Sequence, residues 1–369
     1  MNLYQQSLSQ AEILRRVGHL AQVGGVQLLR AEDGPAGGVR LLEFRLGSGF
    51  SFKVALDRGM DVGYCEYKGM PLGWIPATLL PGGWYFEQQT EFGWLRSAMG
   101  GLCTSCGLLH IGDPEEDSIA HYNFPGRKSE RYGVHDRMAM LPAQLLSYGE
   151  SWEGDECLLS ASGKLVQSQV YAENLVLQRS YTARLGEKRY CTHDEVTNAG
   201  FYPTPQMLIY HLNFGFPFVD DGSRLLTPLC QPPQVMLGSP DLVQTGAYAH
   251  FSAPQKAADL QVFALQPHAN REGFAGVAIV NPALGESGMG VYLRYRPDQF
   301  PKFIETRMMG EGHYFVSLEP CTNGFGRAEL RQKGELTVLQ PGEKRIFDLE
   351  IGVLDGQQEI EAFQASLND

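Results

Sequence analysis

The sequence lacks the features that mark several large classes of protein. Its 30 Lys and Arg are outnumbered by 42 Asp and Glu, which gives a formal net charge of −12. Nucleic acids and anionic membranes are bound by basic surfaces, so neither is expected as a partner. The N-terminus has no basic segment followed by an apolar one, so no secretory signal is predicted. The longest stretch without Asp, Glu, Lys or Arg, residues 196–219, contains three prolines and is unsuited to a lipid-facing helix.

Cysteine is scarce, and its spacing suggests no disulfide framework. Seven cysteines, an odd number, are scattered between positions 65 and 321. Without a signal peptide, this pattern is typical of reduced thiols in a cytoplasmic protein. Cys103 and Cys106 form a C-x-x-C sequence, but neither a helix start nor a second ligand pair follows it, which favours a structural role. The sequence has no glycine-rich phosphate motif and no H-x-H run, so no metal or organic cofactor is predicted.

Glycine and proline are abundant, and they limit helix formation. The 43 glycines and 21 prolines leave little room for a helical bundle. Apolar and polar residues alternate over 50–56, 291–296 and 349–353, with the period of a β-strand. No linker or shift in composition marks a boundary. We therefore expect one all-β, mainly antiparallel domain over residues 1–369.

Helices are predicted only at the two ends of the chain. Ser9 and Glu12 form a capping box within an N-terminal helical extension over residues 1–25. Apolar residues one turn apart predict a C-terminal helix over 357–367. Residues 69–125 interrupt the strand rhythm and are predicted to form a long aromatic-rich loop region. Its aromatic side chains either stack on a sugar or cover an exposed sheet edge.

Two histidines have neighbours that suggest a functional site. His135 follows a glycine turn and precedes the charged pair Asp136 and Arg137. His211 and Asn213 are two residues apart in a predicted strand, so their side chains share one face. Each histidine on its own is more often a structural residue with satisfied hydrogen bonds than a catalyst.

A glutamate and a further histidine lie at predicted strand ends. Glu319 ends the apolar strand Phe-Val-Ser-Leu-Glu and is followed by Pro320, an arrangement that directs its carboxylate off the sheet. His268 follows a predicted strand that ends near residue 265. A strand-end salt bridge is the commoner role for such a glutamate.

The order of these segments resembles the aldose 1-epimerase (galactose mutarotase) superfamily. In that family, a Leu-His-Gly segment carries a substrate-binding histidine, an Asn-His-x-Tyr-Phe-Asn-Leu strand carries the general acid, and a Leu-Glu-x-Gln/Pro-x-Thr-like strand carries the general base. Residues 134–136, 210–216 and 318–322 are similar to these three segments in turn. The resemblance extends from about residue 25 to 355. The closer resemblance is to an uncharacterised bacterial subgroup of that superfamily. It is suggested by residues 57–61, 100–108 and 132–137.

The resemblance implies both a fold and an activity. The fold is a galactose mutarotase-like β-supersandwich with a few short helices, and the activity is that of a cofactor-independent isomerase that interconverts sugar anomers. Glu319 would act as general base and His211 as general acid. The substrate-binding residues would be His135, Asp136, Arg137, Asn213 and His268. The sequence departs from the family where Asp136 replaces a glycine and where Asn213 and Gly215 replace a tyrosine and an asparagine.

The expected partner is a small-molecule sugar, bound by a monomer or a homodimer. The Arg137 guanidinium could make a bidentate contact with a carboxylate, so an acidic sugar is a candidate substrate. A ketose is also a candidate. Two alternatives to a mutarotase remain. One is a sugar isomerase or epimerase that acts beyond the anomeric carbon, and the other is a non-catalytic carbohydrate-binding protein on the same fold.

Overall fold

Strands dominate the computed structural model, which describes residues 1–88 and 90–367. In chain order the strands are β1 (Asn2–Leu3), β2 (Gln6–Ser7), β3 (Gly25–Arg30), β4 (Arg40–Arg45), β5 (Phe50–Ala55), β6 (Asp61–Tyr67), β7 (Met70–Pro71), β8 (Cys103–Leu108), β9 (Glu115–Ser118), β10 (Ser129–Tyr132), β11 (Gln144–Glu153), β12 (Glu156–Ser168), β13 (Asn174–Arg184), β14 (Arg189–Asn198), β15 (Thr204–Pro205), β16 (Met207–Phe214), β17 (Arg224–Leu226), β18 (Gln234–Leu237), β19 (Gln261–Leu265), β20 (Ala275–Asn281), β21 (Met289–Tyr295), β22 (Lys302–Gly310), β23 (His313–Cys321), β24 (Val338–Leu339) and β25 (Lys344–Asp355). The α-helices are α1 (Gln10–Leu14), α2 (Gly93–Arg96), α3 (Asp241–Gln244), α4 (Arg327–Lys333) and α5 (Gln357–Ser366). Single 3₁₀ turns lie at Leu20–Gln22, Gly34–Ala36, Gly83–Tyr85, Met138–Met140 and Ala247–Ala249.

Two large sheets form the body of the molecule. Over the described residues, the eight-stranded sheet has the order β11-β12-β13-β14-β25-β21-β20-β17. The eleven-stranded sheet has the order β18-β19-β22-β23-β16-β8-β6-β5-β4-β3, with β7 beside β6. The strand pairs in both sheets are antiparallel. The prediction of an all-β, mainly antiparallel fold with short helices is therefore confirmed.

The two sheets pack face to face through aromatic and aliphatic side chains. Strand β12 alternates between buried and more exposed residues over nearly its whole length, as a strand with one face on a core must. Phe52 from the eleven-stranded sheet stacks on Tyr190 from the other sheet, with ring centroids 4.5 Å apart. Such a pair contributes about 0.5–1.5 kcal/mol beyond the area that it buries. The main core that results includes residues from Leu3 to Val353.

A buried ionic network also links the two sheets. Arg179 on β13 lies 2.6 Å from Asp194 on β14 and 2.5 Å from Asp61 on β6, and all three side chains are almost fully buried. Burial raises the pKa of Asp61 to about 6, against the lowering effect of Arg179. The Tyr210 hydroxyl donates a hydrogen bond to Asp194. Since Tyr210 precedes His211 on β16, the network fixes this strand from its core side.

The N-terminal helix is shorter than the sequence predicts. The capping box at Ser9 and Glu12 is present, but α1 ends at Leu14. Residues 1–25 also contain the β1–β2 hairpin, whose turn places Tyr4 and Gln5 at positive φ. A helix of five residues is too short to be stable on its own, so its position depends on the packing of its buried Ile13 against the main core.

The C-terminal helix α5 lies within the predicted range. Its Ile360 and Phe363, together with the following Leu367, are buried against the outer side of β20, β21 and β25. Among the described residues, no helix combines the length and the apolar character that a membrane crossing requires.

The region over residues 69–125, predicted to be mainly a loop, contains a central strand at the C-x-x-C sequence. Strand β8 lies between β6 and β16 in the middle of the eleven-stranded sheet. All six of its residues are buried, so the apolar–polar alternation that marks a half-exposed strand is missing. The C-x-x-C cysteines lie on this strand as buried thiols, and burial raises the pKa of both.

Candidate functional site

The candidate site lies on the outer face of the eleven-stranded sheet. On β16, Leu208, Tyr210 and Leu212 point into the main core between the sheets. Because side chains alternate along a strand, His211 and Asn213 point to the opposite face. That face carries a second apolar cluster, whose buried members are Trp94, Cys106, Ile111, Val134, Met140, Met207, Ile209, Ile304, Cys321 and Leu336. The polar residues of the site lie beside this cluster.

His211 and Glu319 are adjacent across two neighbouring strands. Glu319 lies on β23, which pairs with β16, and its Oε1 is 3.1 Å from Nε2 of His211. The His211 side chain is 14% exposed and that of Glu319 only 2%. Among the described residues, Oε1 of Glu319 has no partner with hydrogen-bond geometry. A buried carboxylate with a free acceptor atom beside an imidazole is suited to proton transfer.

The other nitrogen of His211 is held by two polar side chains. Its Nδ1 lies 2.6 Å from Oδ1 of Asn213 and 2.7 Å from Oγ of Ser317. The Asn213 amide nitrogen donates to the His211 carbonyl oxygen at 3.0 Å, which turns Oδ1 towards the ring. Sequence reasoning missed Ser317. The alternation along Phe-Val-Ser-Leu-Glu could have found it, because Ser317 shares a face with Glu319.

His135 comes from the loop after β10 and also reaches this face. Its ring centroid lies 5.8 Å from that of His211. His135 and Asp136 both have a φ of 55°, a left-handed conformation that non-glycine residues adopt at a cost of about 1–3 kcal/mol. The backbone N–H of His135 donates to the Gly112 carbonyl at 3.1 Å, and its carbonyl accepts from Gly107 at 3.1 Å. These bonds hold the strained segment in place.

The electrostatic setting keeps His135 neutral. Burial, with a smaller contribution from the nearby His211, lowers the pKa of His135 to about 3. The Gly112 N–H donates to Nδ1 of His135 at 3.3 Å. A neutral ring that accepts at Nδ1 carries its proton on Nε2, so that nitrogen can donate a hydrogen bond.

Aromatic side chains flank the histidines. Trp94 on α2 makes an edge-to-face contact with His135, with centroids 5.0 Å apart. Trp74 stacks on Phe315 at 4.5 Å, and Phe315 shares a strand face with Ser317 and Glu319. Trp74 and Phe315 come from distant parts of the chain. Their stacked rings form an aromatic wall beside His211, Ser317 and Glu319.

Gly101 fixes the position of Trp74. The backbone N–H of Gly101 donates to the Trp74 carbonyl at 2.9 Å, and its φ is 74°. A Cβ on Gly101 would lie 2.6 Å from the Gly63 carbonyl oxygen, so a side chain there would displace the backbone. The glycine pair at 100–101 therefore has a structural role in this wall. The exposed Trp84 and Tyr85 of the same region contact each other on the surface.

Asp136 points away from the His211–Glu319 pair. Its Oδ2 accepts hydrogen bonds from the Gln167 amide at 2.6 Å and from the Leu109 N–H at 3.2 Å. Burial raises the pKa of Asp136 to about 6, although the neighbouring Arg137 lowers it. Its side chain lines a separate cavity of about 90 Å³, which Trp94 and Tyr122 also line.

Arg137 lines the same cavity and already has an anionic partner. Its Nη2 donates to Glu173 at 2.8 Å and to the Ser168 carbonyl at 2.7 Å. The Glu173 side chain is only 3% exposed, and burial raises its pKa although the charge of Arg137 and its hydrogen bond act to lower it and favour the carboxylate. The positive charge of Arg137 is therefore offset within the protein.

His268 is not brought into this cluster. It is exposed in the turn after β19, and its backbone N–H donates to the Pro228 carbonyl at 2.8 Å. The site residues predicted from the sequence therefore fall into three groups. His135, His211, Asn213 and Glu319 meet, Asp136 and Arg137 line the adjacent cavity, and His268 lies apart.

The residue types at the site suit proton transfer and hydrogen bonding. In the parts of the chain that the structure describes, no three His, Cys, Asp or Glu side chains are grouped so that they could hold a metal ion. One imidazole beside a free carboxylate, a neutral imidazole donor and an aromatic wall can bind a hydroxylated ring and move its protons.

Comparison with known proteins identifies relatives of the chain. The family model described as "Domain of unknown function (DUF4432)" matches residues 36–353. No curated protein matches significantly. Two similar crystal structures are a Klebsiella pneumoniae protein described as a proposed aldose 1-epimerase and a galactose mutarotase-like protein from Clostridium acetobutylicum.

The structural similarity covers almost the whole chain. The Klebsiella protein is 23% identical, with a TM-score of 0.80, over 93% of this chain and 86% of that one. The Clostridium protein is 12% identical, with a TM-score of 0.61, over 89% of this chain and 98% of that one. At these identities the similarity shows the fold, and it confirms the galactose mutarotase-like architecture that the sequence suggested.

Proposed function

Because this chain belongs to the DUF4432 family and has a galactose mutarotase-like fold, we propose that it interconverts the anomers of a small sugar by general acid–base catalysis. The observation that supports this proposal most is the 3.1 Å approach of His211 Nε2 to a Glu319 oxygen that has no hydrogen-bond partner among the described residues. An acid and a base side by side on one sheet face are the groups that mutarotation requires.

The reaction consists of two coupled proton transfers. Glu319 takes the proton of the anomeric hydroxyl while Nε2 of His211 gives a proton to the ring oxygen. The bond from the anomeric carbon to the ring oxygen breaks, and its electron pair stays on that oxygen as the carbonyl forms. Rotation about the adjacent carbon–carbon bond and reversal of both transfers close the ring as the other anomer. Each positioned group contributes about 10²–10⁴-fold.

The geometry of the pair matches the atoms that react. The anomeric hydroxyl oxygen and the ring oxygen are bonded to the same carbon, so an acid and a base that are themselves adjacent can reach both. A base for a carbon-bound proton further along the sugar would not need its acid so close.

The surroundings of the pair support binding of a neutral sugar. The neutral His135 offers an Nε2–H to a hydroxyl, and the Trp74–Phe315 wall offers an apolar surface to a ring face. Arg137 is paired with Glu173 beside the cavity of about 90 Å³, so a substrate carboxylate would have to compete with Glu173 for its charge. We therefore expect an uncharged aldose or ketose to be preferred over a uronate.

The proposal is tested by NMR exchange spectroscopy between α and β anomers for a panel of neutral aldoses, ketoses and uronates. The wild-type protein should raise the exchange rate of at least one neutral sugar far above its spontaneous rate, and His211→Asn should not. Binding without faster exchange of any sugar would instead indicate a carbohydrate-binding protein. Formation of a different sugar would indicate an isomerase that acts beyond the anomeric carbon.

A further inference from the structure

The two groups around Nδ1 of His211 constrain where its protons lie. The Asn213 carbonyl oxygen can only accept a hydrogen bond, and it lies 2.6 Å from Nδ1. Two lone pairs cannot face each other at this distance without a proton between them. Nδ1 is therefore protonated and donates to Asn213.

The orientation of the Asn213 amide supports this assignment. Its NH₂ group donates to the His211 carbonyl oxygen at 3.0 Å, which leaves the oxygen as the atom that faces the ring. Ser317 Oγ lies 2.7 Å from the same nitrogen, and its oxygen can accept a share of the Nδ1–H. Asn213 is 3% exposed and Ser317 is fully buried, so water does not compete for these bonds.

We propose that Asn213 and Ser317 are positioning residues that hold the His211 ring with its Nδ1 protonated, so that Nε2 is the only nitrogen that exchanges a proton with the substrate. This inference rests on the proposed function and adds which residues control the protonation of the general acid, His211. When Nε2 gives its proton to the ring oxygen, the N–H electron pair stays on Nε2, and the neutral ring keeps its Nδ1–H on Asn213. The reverse step returns the proton to the same nitrogen.

This arrangement favours the form of neutral imidazole that is less common in water, where Nε2 usually carries the proton. Without the acceptor at Nδ1, the imidazolium would release its Nδ1 proton first, as in water, and the proton left on Nε2 would belong to a neutral imidazole, which is a far weaker acid. A wrong tautomer lowers turnover more than it lowers binding, because the sugar contacts are unchanged. A purely structural role for Asn213 would not affect the tautomer.

The test is the protonation pattern of His211 in the free ¹⁵N-labelled protein, measured by long-range ¹H–¹⁵N correlation at a pH where the ring is neutral. The signals of His211 are assigned by their loss in His211→Asn. We expect the Nδ1–H tautomer in the wild type and in Asn213→Asp, whose carboxylate also accepts. In Asn213→Ala we expect a mixture or the Nε2–H tautomer, and in Ser317→Ala a smaller change.

The kinetic counterpart is a fall in kcat of roughly 10- to 100-fold for Asn213→Ala with little change in KM, the usual range for loss of one hydrogen bond to a charged group. Asn213→Asp should keep more activity than Asn213→Ala, and Asn123→Ala at an exposed position is the matched control. An Nε2–H tautomer in the wild type, or an unchanged tautomer in Asn213→Ala, would overturn the proposal. An Nδ1–H tautomer in a protein without anomer exchange would support the positioning role and reject the proposed function.

Discussion

A buried glutamate outside the site should make the stability of this protein depend strongly on pH. Glu305 on β22 pairs in register with Phe263 and Leu318, both of which belong to the main core. Among the described residues, neither of its carboxylate oxygens has a hydrogen-bond partner, and the Arg307 guanidinium is 4.0 Å away. Burial raises the pKa of Glu305 from 4.5 to about 8. The side chain is therefore protonated in the folded protein at neutral pH.

The sign and size of the effect follow from proton linkage. Between pH 4.5 and about 8 the folded state holds one more proton at Glu305 than the unfolded state does, so the free energy of unfolding falls as pH rises. At 1.36 kcal/mol for each pH unit, the loss is about 3 kcal/mol by pH 7 and about 5 kcal/mol by pH 8. In Glu305→Gln, which keeps the shape and cannot ionise, this loss should be absent.

The assay is urea unfolding of both proteins at a series of pH values. The stability of Glu305→Gln relative to the wild type should rise steadily from about pH 5 and level off above about pH 8. Glu311→Gln, at the exposed turn between β22 and β23, is the matched control and should leave the pH dependence unchanged. A stability difference between Glu305→Gln and wild type that does not vary with pH would refute the reasoning.

Three further predictions concern the core network and the site. Arg179→Met should destabilise the protein by about 3–5 kcal/mol in urea unfolding, because it leaves Asp61 and Asp194 as buried carboxylates without their cation. In urea unfolding, Asp136→Asn should make stability fall less steeply than in the wild type as pH rises from about 4 to about 6, since burial raises the pKa of Asp136 to about 6. In anomer-exchange assays, the double variant of His211→Asn and Glu319→Gln should lose much less activity than the two single losses combined, because acid and base act as a unit.

The fold could be predicted from the sequence mainly where one face of a strand is exposed. The pattern over residues 50–56 marks β5, where partly exposed polar side chains alternate with buried ones. The pattern over 291–296 marks β21 through the alternation in the sequence alone, since that strand is buried except at Arg294. The same rule fails for β8, whose two faces are both covered. The order of the strands in the sheets could not be derived from periodicity, since it depends on pairings between residues that are about a hundred positions apart, such as those of β16 with β8.

The candidate site could be predicted in part, through residues that the family resemblance picked out. It suggested His135, His211 and Glu319, and the structure brings these three together. The resemblance did not indicate Ser317, which could have been found only from the alternation that places it on the same strand face as Glu319. It also did not separate Arg137 from the cluster, because the ion pair of Arg137 with Glu173 joins residues 36 positions apart.

The central claim, that Glu319 is the base that opens the sugar ring, is tested most directly by anomer exchange in Glu319→Gln. The amide keeps the shape of the side chain but cannot accept a proton. With a sugar that the wild type turns over, exchange should fall by roughly 10²-fold or more, while sugar affinity and melting temperature change little. Unchanged exchange together with a melting temperature several degrees lower would show instead that Glu319 is a structural carboxylate at the end of its strand.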